Sequence, residues 1–182
     1  MLGSIRFATV AAFSVLVSAC ASTPSIYSAD GSGRASYDGG SIEKPSKPLQ
    51  CVPFARSESS VKLAGDAWTW WELAAGRYER SGEPKVGSVL LLTGYAGAHR
   101  GHVAVVTAID SSRQIRVDHA NWLDDGAIYR DDPVVDVSSD NNWSEVRVWN
   151  LRDHALGARI YPVRGFIGPG REEATDRVAS RE

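Results

Sequence analysis

The chain is poor in cysteine. Among 182 residues there are two, Cys20 and Cys51, and Cys20 falls at the end of an apolar leader. Removal or modification of the leader leaves Cys51 without a partner, so a disulfide-stapled scaffold is excluded. Methionine occurs once, as Met1. Basic charge is not in excess: 20 Lys and Arg stand against 22 Asp and Glu, a formal net charge of -2. That balance offers no electrostatic footprint for nucleic acid. Beyond the leader, no apolar run is long enough to cross a membrane as a helix. The one glycine-marked loop in the body, residues 94–101, lacks the lysine and the following helix of a phosphate-binding loop. There is no Asp-rich calcium-loop spacing, no closely spaced pair of metal ligands and no internal repeat. What is present is 43% hydrophobic residues with six tryptophans, enough for one well-filled core.

The leader, residues 1–19, reads as a signal peptide: Arg6 supplies a positive start and Phe7 to Val17 an apolar run. It ends in Val17-Ser18-Ala19-Cys20, small residues before a cysteine. This resembles a bacterial lipoprotein processing site, with Cys20 as the lipidated first residue; ordinary signal cleavage after Ala19 or Ala21 is the alternative. Lipidation implies anchoring at the outer membrane of a Gram-negative envelope, facing the periplasm, since several acyl chains hold firmly where one is marginal. Residues 20–47 are rich in Ser, Gly and Pro and read as a flexible linker. Residues 168–182 form a charged tail in which no packed structure is expected. The domain that must explain function is 48–167.

Within it, Pro53 suits the first turn of a short helix opening near Gln50 and running to about Ser59. Asp66 is placed to cap a second helix carrying Trp68, Trp71, Leu73 and Ala75 before Gly76. Trp68 and Trp71 lie on one helical face, which predicts core packing; the sharper alternative puts Trp70 or Trp71 in a ligand groove. Short strands follow: 86–93, 102–109, 114–120, 134–137, 145–151 and 159–167. The alternation of Ile115, Val117 and His119 against Arg116, Asp118 and Ala120 gives the third segment one inward face. Helices first, then short strands joined by tight turns, predicts an α+β fold with an antiparallel sheet.

Cys51 is the residue of chemical interest. At a helix start, backbone N–H groups and the helix dipole favour thiolate over thiol and can also hold an oxyanion. Gln50, next to it, offers a side-chain donor. The bland alternative is a small buried hydrophobe. His102 opens a buried strand and can face a cleft. His119 lies inward on the next strand with Asn121 on the same face, and neighbouring strands are about 4.8 Å apart, so the two histidines can meet. That order supplies nucleophile, base and orienter. Asp118 points to the other face, and His99 and His154 read as exposed. Cys51, His102 and His119 could also hold a metal with an open position; the spacing argues against it, and neither metal nor cofactor is expected.

Five blocks carry a resemblance. They are Gln50-Cys51-Val52-Pro53-Phe54-Ala55-Arg56; Gly65-Asp66-Ala67-Trp68 with Trp71; Pro84-Lys85-Val86-Gly87-Ser88-Val89-Leu90; Gly101-His102-Val103-Ala104-Val105-Val106; and Val117-Asp118-His119-Ala120-Asn121-Trp122. In this order they resemble the CHAP family of cysteine, histidine-dependent amidohydrolases and peptidases, part of the papain-like superfamily. The resemblance implies a papain-like α+β fold, N-terminal helices packed on a central antiparallel sheet. It implies Cys51 as nucleophile, His102 as base, and Gln50 with the Cys51 N–H at the oxyanion. The family often places a Glu two residues before its Asn; here His119 stands there, before Asn121. This resembles the Cys-His-His arrangement of the related NlpC/P60 hydrolases and leaves the orienter as His119 or Asn121. Some phage relatives bind calcium before the nucleophile, but no acidic cluster precedes Cys51. The implied partner is peptidoglycan, cut at the muramoyl–alanine amide or at a peptide bond, by a monomer. The alternatives are a non-catalytic wall-binding lipoprotein on the same fold and an amidase of a small amide conjugate.

Overall fold

The computed structural model describes residues 28–29, 35–36 and 39–169. The signal segment, Cys20, most of the linker and the tail beyond Pro169 lie outside the described residues. Strands β1 (Ser28–Ala29) and β2 (Ala35–Ser36) pair only with each other. The body comprises β3 (Ser41–Glu43), α1 (Cys51–Glu58), a 3-10 turn (Ala67–Thr69) running into α2 (Trp70–Leu73), then β4 (Arg80–Ser81), β5 (Val89–Thr93), β6 (Gly101–Ser111), β7 (Gln114–Ala120), β8 (Ile128–Asp136), β9 (Glu145–Asn150), β10 (Ala155–Leu156) and β11 (Tyr161–Ile167).

The expected fold, papain-like α+β with helices packed on a central sheet, is overturned. Among the described residues strand accounts for 40% and helix for 11%, and six antiparallel strands close into a barrel. Around the barrel the order is β9-β11-β5-β6-β7-β8, and β8 pairs back onto β9 through Val134↔Val148, Val135↔Arg147 and Asp136↔Val146. Period-two alternation looks the same in an open sheet and in a barrel, because each needs one apolar face per strand. Pairing of β8 with its sequence neighbour β9 is ordinary; closure depends on β11 pairing with both β9 and the distant β5, which no local pattern in the chain announces.

Two apolar layers follow from the pleat. Leu90, Leu92, Ala104, Val106, Ile115, Val117, Tyr129, Val146 and Phe166 fill the barrel. Val89, Leu91, Val103, Val105 and Ile167 face outward and are covered by Ala55, Val61, Leu63, Trp70 and Ala74 from the helical segment. β5 therefore reads Val-Leu-Leu-Leu with no polar alternation: both of its faces are buried. Each such side chain contributes about 1.5–3 kcal/mol on full burial. The helices thus seal one outer face of the barrel. α1 sits on β6 and β7, with Phe54 packed on Ala120 and Ile128.

Local signals worked at α1. It spans Cys51–Glu58 with Gln50 at the N-cap, and its first bond is Phe54 N–H to the Gln50 carbonyl at 3.2 Å. Pro53 lies in the first turn, where its missing N–H is not needed. The second predicted helix is broken into the 3-10 turn and the four-residue α2. Its tryptophans part company: Trp70 is fully buried, Trp68 is 40% exposed, and Trp71 lies under the guanidinium groups of Arg80 and Arg164. Gly101, just before His102, is needed for close approach. A Cβ there would stand 2.8 Å from the Trp68 backbone nitrogen and 3.1 Å from the Leu92 carbonyl oxygen.

Candidate active site

A cleft of about 630 Å³ opens where the start of α1 meets the start of β6. Gln50, Cys51 and His102 lie in it, walled on one side by Trp68 and His99 and on the other by Tyr95, Trp122 and Tyr161. Cys51 is half-buried at the first helical position. Burial pushes its thiol above the ordinary value of 9.0; the backbone N–H groups of Val103, Val52 and Cys51 and the charge of Arg100 pull it partly back. The helix-start effect expected from the sequence is present, but desolvation outweighs it, so the resting group is a thiol.

His102 is 2% exposed and belongs to the barrel face of β6. Its Nε2 lies 2.9 Å from His119 Nδ1 on β7, with the two rings nearly perpendicular. The second nitrogen of His119, Nε2, lies 2.9 Å from Oδ2 of Asp132 on β8. Three buried groups therefore form one line across three adjacent strands. Tyr95 and Trp122 cover the His102 ring at 5.4 and 4.9 Å, and the Tyr95 hydroxyl donates to the Trp122 carbonyl across the cleft. Burial, and then the neighbouring His119, hold His102 well below its ordinary value of 6.5, so it is neutral at neutral pH. Its Nδ1 has no hydrogen-bond partner among the described residues.

Asn121 does not touch His102. At φ 60° it turns the chain out of β7. Its Nδ2 donates to Gln50 Oε1 at 3.0 Å and its Oδ1 accepts from the Gly126 N–H at 2.7 Å. With Oε1 occupied, the Gln50 amide has its N–H₂ end left to give. Of the two residues left open as orienter, His119 is the one bonded to His102, and Asn121 instead fixes Gln50.

Asp118 stays outside the site, bonded to Arg130 and to the Asp131 backbone. His154 is exposed; so is His99, but its ring packs at a tilt against Trp68, 5.0 Å between centroids, and joins the cleft wall. Sequence reasoning missed Asp132, and it placed Trp68 in core packing, with Trp70 or Trp71 as the alternative groove residue. The groove residue is Trp68, not Trp70 or Trp71. Asp132 was hidden because Arg130-Asp131-Asp132-Pro133 looks like a loop, while β8 in fact begins at Ile128.

A neutral imidazole with a free nitrogen, sharing a cleft with a thiol at a helix start, is the equipment that general-base activation of a nucleophile needs. The family model of the CHAP domain matches residues 42–121 of this chain. The match contains Cys51, His102, His119 and Asn121 and stops short of Asp132. CHAP domains are in general hydrolases, amidases or peptidases, and the family's activity is peptidoglycan-related. Comparison with curated proteins and with solved structures gave no match.

Proposed function

We propose that this protein is a cysteine-dependent hydrolase that cuts an amide bond of peptidoglycan. The observation that carries the reading is the meeting of Cys51 and His102 in one cleft of a CHAP domain, with His102 backed by His119. Because both groups rest neutral, the thiol proton passes to His102 Nδ1 as sulfur attacks the amide carbonyl. The oxyanion is received by the Cys51 N–H and the Gln50 amide N–H₂. His102 then returns the proton to the leaving amine, and water hydrolyses the thioester with His102 again as base. His119 holds the imidazole, and Asn121 holds Gln50 with its amide nitrogen available.

The cleft chemistry accommodates a wall fragment. Trp68 offers an exposed ring to a sugar or peptide, and Arg100 and Arg159 border the cleft with cationic groups suited to stem-peptide carboxylates. For the segment outside the described residues, the proposal is export and lipidation at Cys20, placing the enzyme on the outer membrane facing the periplasm. The support is the Val17-Ser18-Ala19-Cys20 pattern; labelled fatty acid that fails to enter the protein in cells, or enters Cys20→Ser equally well, sinks it.

The test of function is digestion of purified sacculi with mass spectrometry of the released fragments. Wild type releases fragments bearing either a free alanine N-terminus, from muramoyl–alanine cleavage, or a new stem-peptide end. Release by Cys51→Ala at the wild-type rate overturns the mechanism.

A further inference from the structure

We propose that Asp132 is the positioning residue that fixes the direction of the proton chain, and that a bulge in β8 clamped by Asp118 is what turns it inward. The role rests on the reading of Cys51 and His102 as nucleophile and base. Two imidazoles in line that carry one proton each can pass them in either direction. An ionised carboxylate accepts only. With Asp132 Oδ2 at 2.9 Å, His119 must carry its proton on Nε2. His119 Nδ1 is then an acceptor, so His102 must donate from Nε2 across the next 2.9 Å. The lone pair of His102 is left on Nδ1, the nitrogen available to take the thiol proton. The reverse direction puts a proton on that nitrogen, and the base is lost.

Asp132 is fitted to this task and to no other visible one. It is fully buried, His119 is its one side-chain partner, and Oδ1 is buried with no hydrogen-bond partner among the described residues. A carboxylate buried for structure is saturated by donors; here its whole accepting capacity in use is spent on one imidazole. Its inward aim is also built. Between the pairs Val117↔Asp132 and His119↔Tyr129, β7 advances two residues (119 − 117) and β8 three (132 − 129). The extra residue sits at Asp131, in the left-handed region at φ 54°. Tyr129 faces the barrel; strict alternation would then turn Asp131 inward and Asp132 out, and the bulge reverses this. Asp118 holds it, accepting the Asp131 N–H at 2.8 Å and pairing with Arg130 at 2.8 Å, while Arg116 holds the Asp131 carboxylate at 3.0 Å.

The test is imidazole ¹⁵N NMR on the full-length Cys51→Ala chain, combined with kinetics on proteins that retain Cys51. The expected spectrum shows both His102 and His119 protonated at Nε2 and bare at Nδ1. Asp132→Asn, which keeps the shape but can face His119 with either end, mixes the tautomers. It lowers kcat about 10- to 100-fold with little change in KM, less than the ~10⁴-fold of a directly bonded triad aspartate because an imidazole intervenes. Asp118→Ala gives a weaker version of both changes. A proton on His102 Nδ1 in the unaltered relay overturns the proposal, whatever the variants do. So does Asp132→Asn with wild-type kcat and an unchanged spectrum. A wild-type chain that shows the expected tautomers yet releases nothing from sacculi leaves the relay standing and removes the hydrolase reading instead.

Discussion

Two aspartates on β8, Asp132 and Asp136, lie four residues apart and are both buried. Asp136 is satisfied on every side. Its Oδ1 accepts from the Ser138 N–H at 2.8 Å and the Ser138 hydroxyl at 2.6 Å, its Oδ2 receives the Trp143 N–H at 3.4 Å, and Arg113 stands 3.8 Å away. Those partners tie the turn between β8 and β9 and so help close the barrel. Among the described residues the Asp132 side chain has one partner, an imidazole. Burial pushes its carboxyl above the ordinary 3.8, and the bond to His119 restrains that rise. Equal burial on one strand thus serves two ends. Where donors surround a carboxylate it supports the fold; where one titratable group faces it, the carboxylate governs that group's proton.

The largest effect expected at the reacting end of the Asp132 line is that of Cys51→Ala, which brings release from sacculi to background. Next is Gln50→Ala, which takes away one oxyanion donor and lowers kcat by about 100-fold. Asn121→Ala frees the Gln50 amide to rotate and produces part of that loss; a larger loss from Asn121 than from Gln50 would show that Asn121 does more than hold its neighbour.

The comparison itself is sharpened by exchanging amide for acid at both positions. Asp136→Asn forfeits charge-assisted bonds to the turn, costing about 1–3 kcal/mol and lowering Tm by about 5 °C, with kcat retained. Asp132→Asn does the reverse, leaving Tm nearly unchanged while kcat falls. Thermal melts and sacculus assays on the two variants suffice, and the distinction breaks if both lose mainly stability or both mainly activity.

The smallest effect is on pH. His102 is held well below 6.5 and must be neutral to act, so kcat/KM rises with pH along an acid limb below 6.5 and is flat through neutrality. An acid limb at or above 6.5 shows that burial is not keeping the ring neutral. The same depression costs stability as pH falls below about 6.5, where the unfolded chain binds a proton that folded His102 refuses. A neutral His102→Asn has a shallower fall in Tm over that range.

Much of the site was legible in the chain. Cys51 at a helix start, His102 opening a buried strand and His119 on the inward face of the next all follow from local rules, because cap chemistry and two-residue alternation act within a few residues. β7 was bounded correctly at Gln114–Ala120 for the same reason. The first half of β8 was not legible. Proline and three charged side chains in succession resemble a loop, and only Asp118 and Arg116 on the neighbouring strand make that segment a bulged strand.

The sequence by itself determined the short α1 that opens on Cys51, the strands that carry His102 and His119, and most of the other strands, since each depends on periodicity and on turn and cap residues close in the chain. Only the tertiary structure decided that the strands close into a barrel, that Trp68 rather than Trp70 or Trp71 faces the cleft, and that Asp132 stands behind His119. These depend on register between strands, and a one-residue shift in register exchanges the inward and outward faces without altering the composition of either.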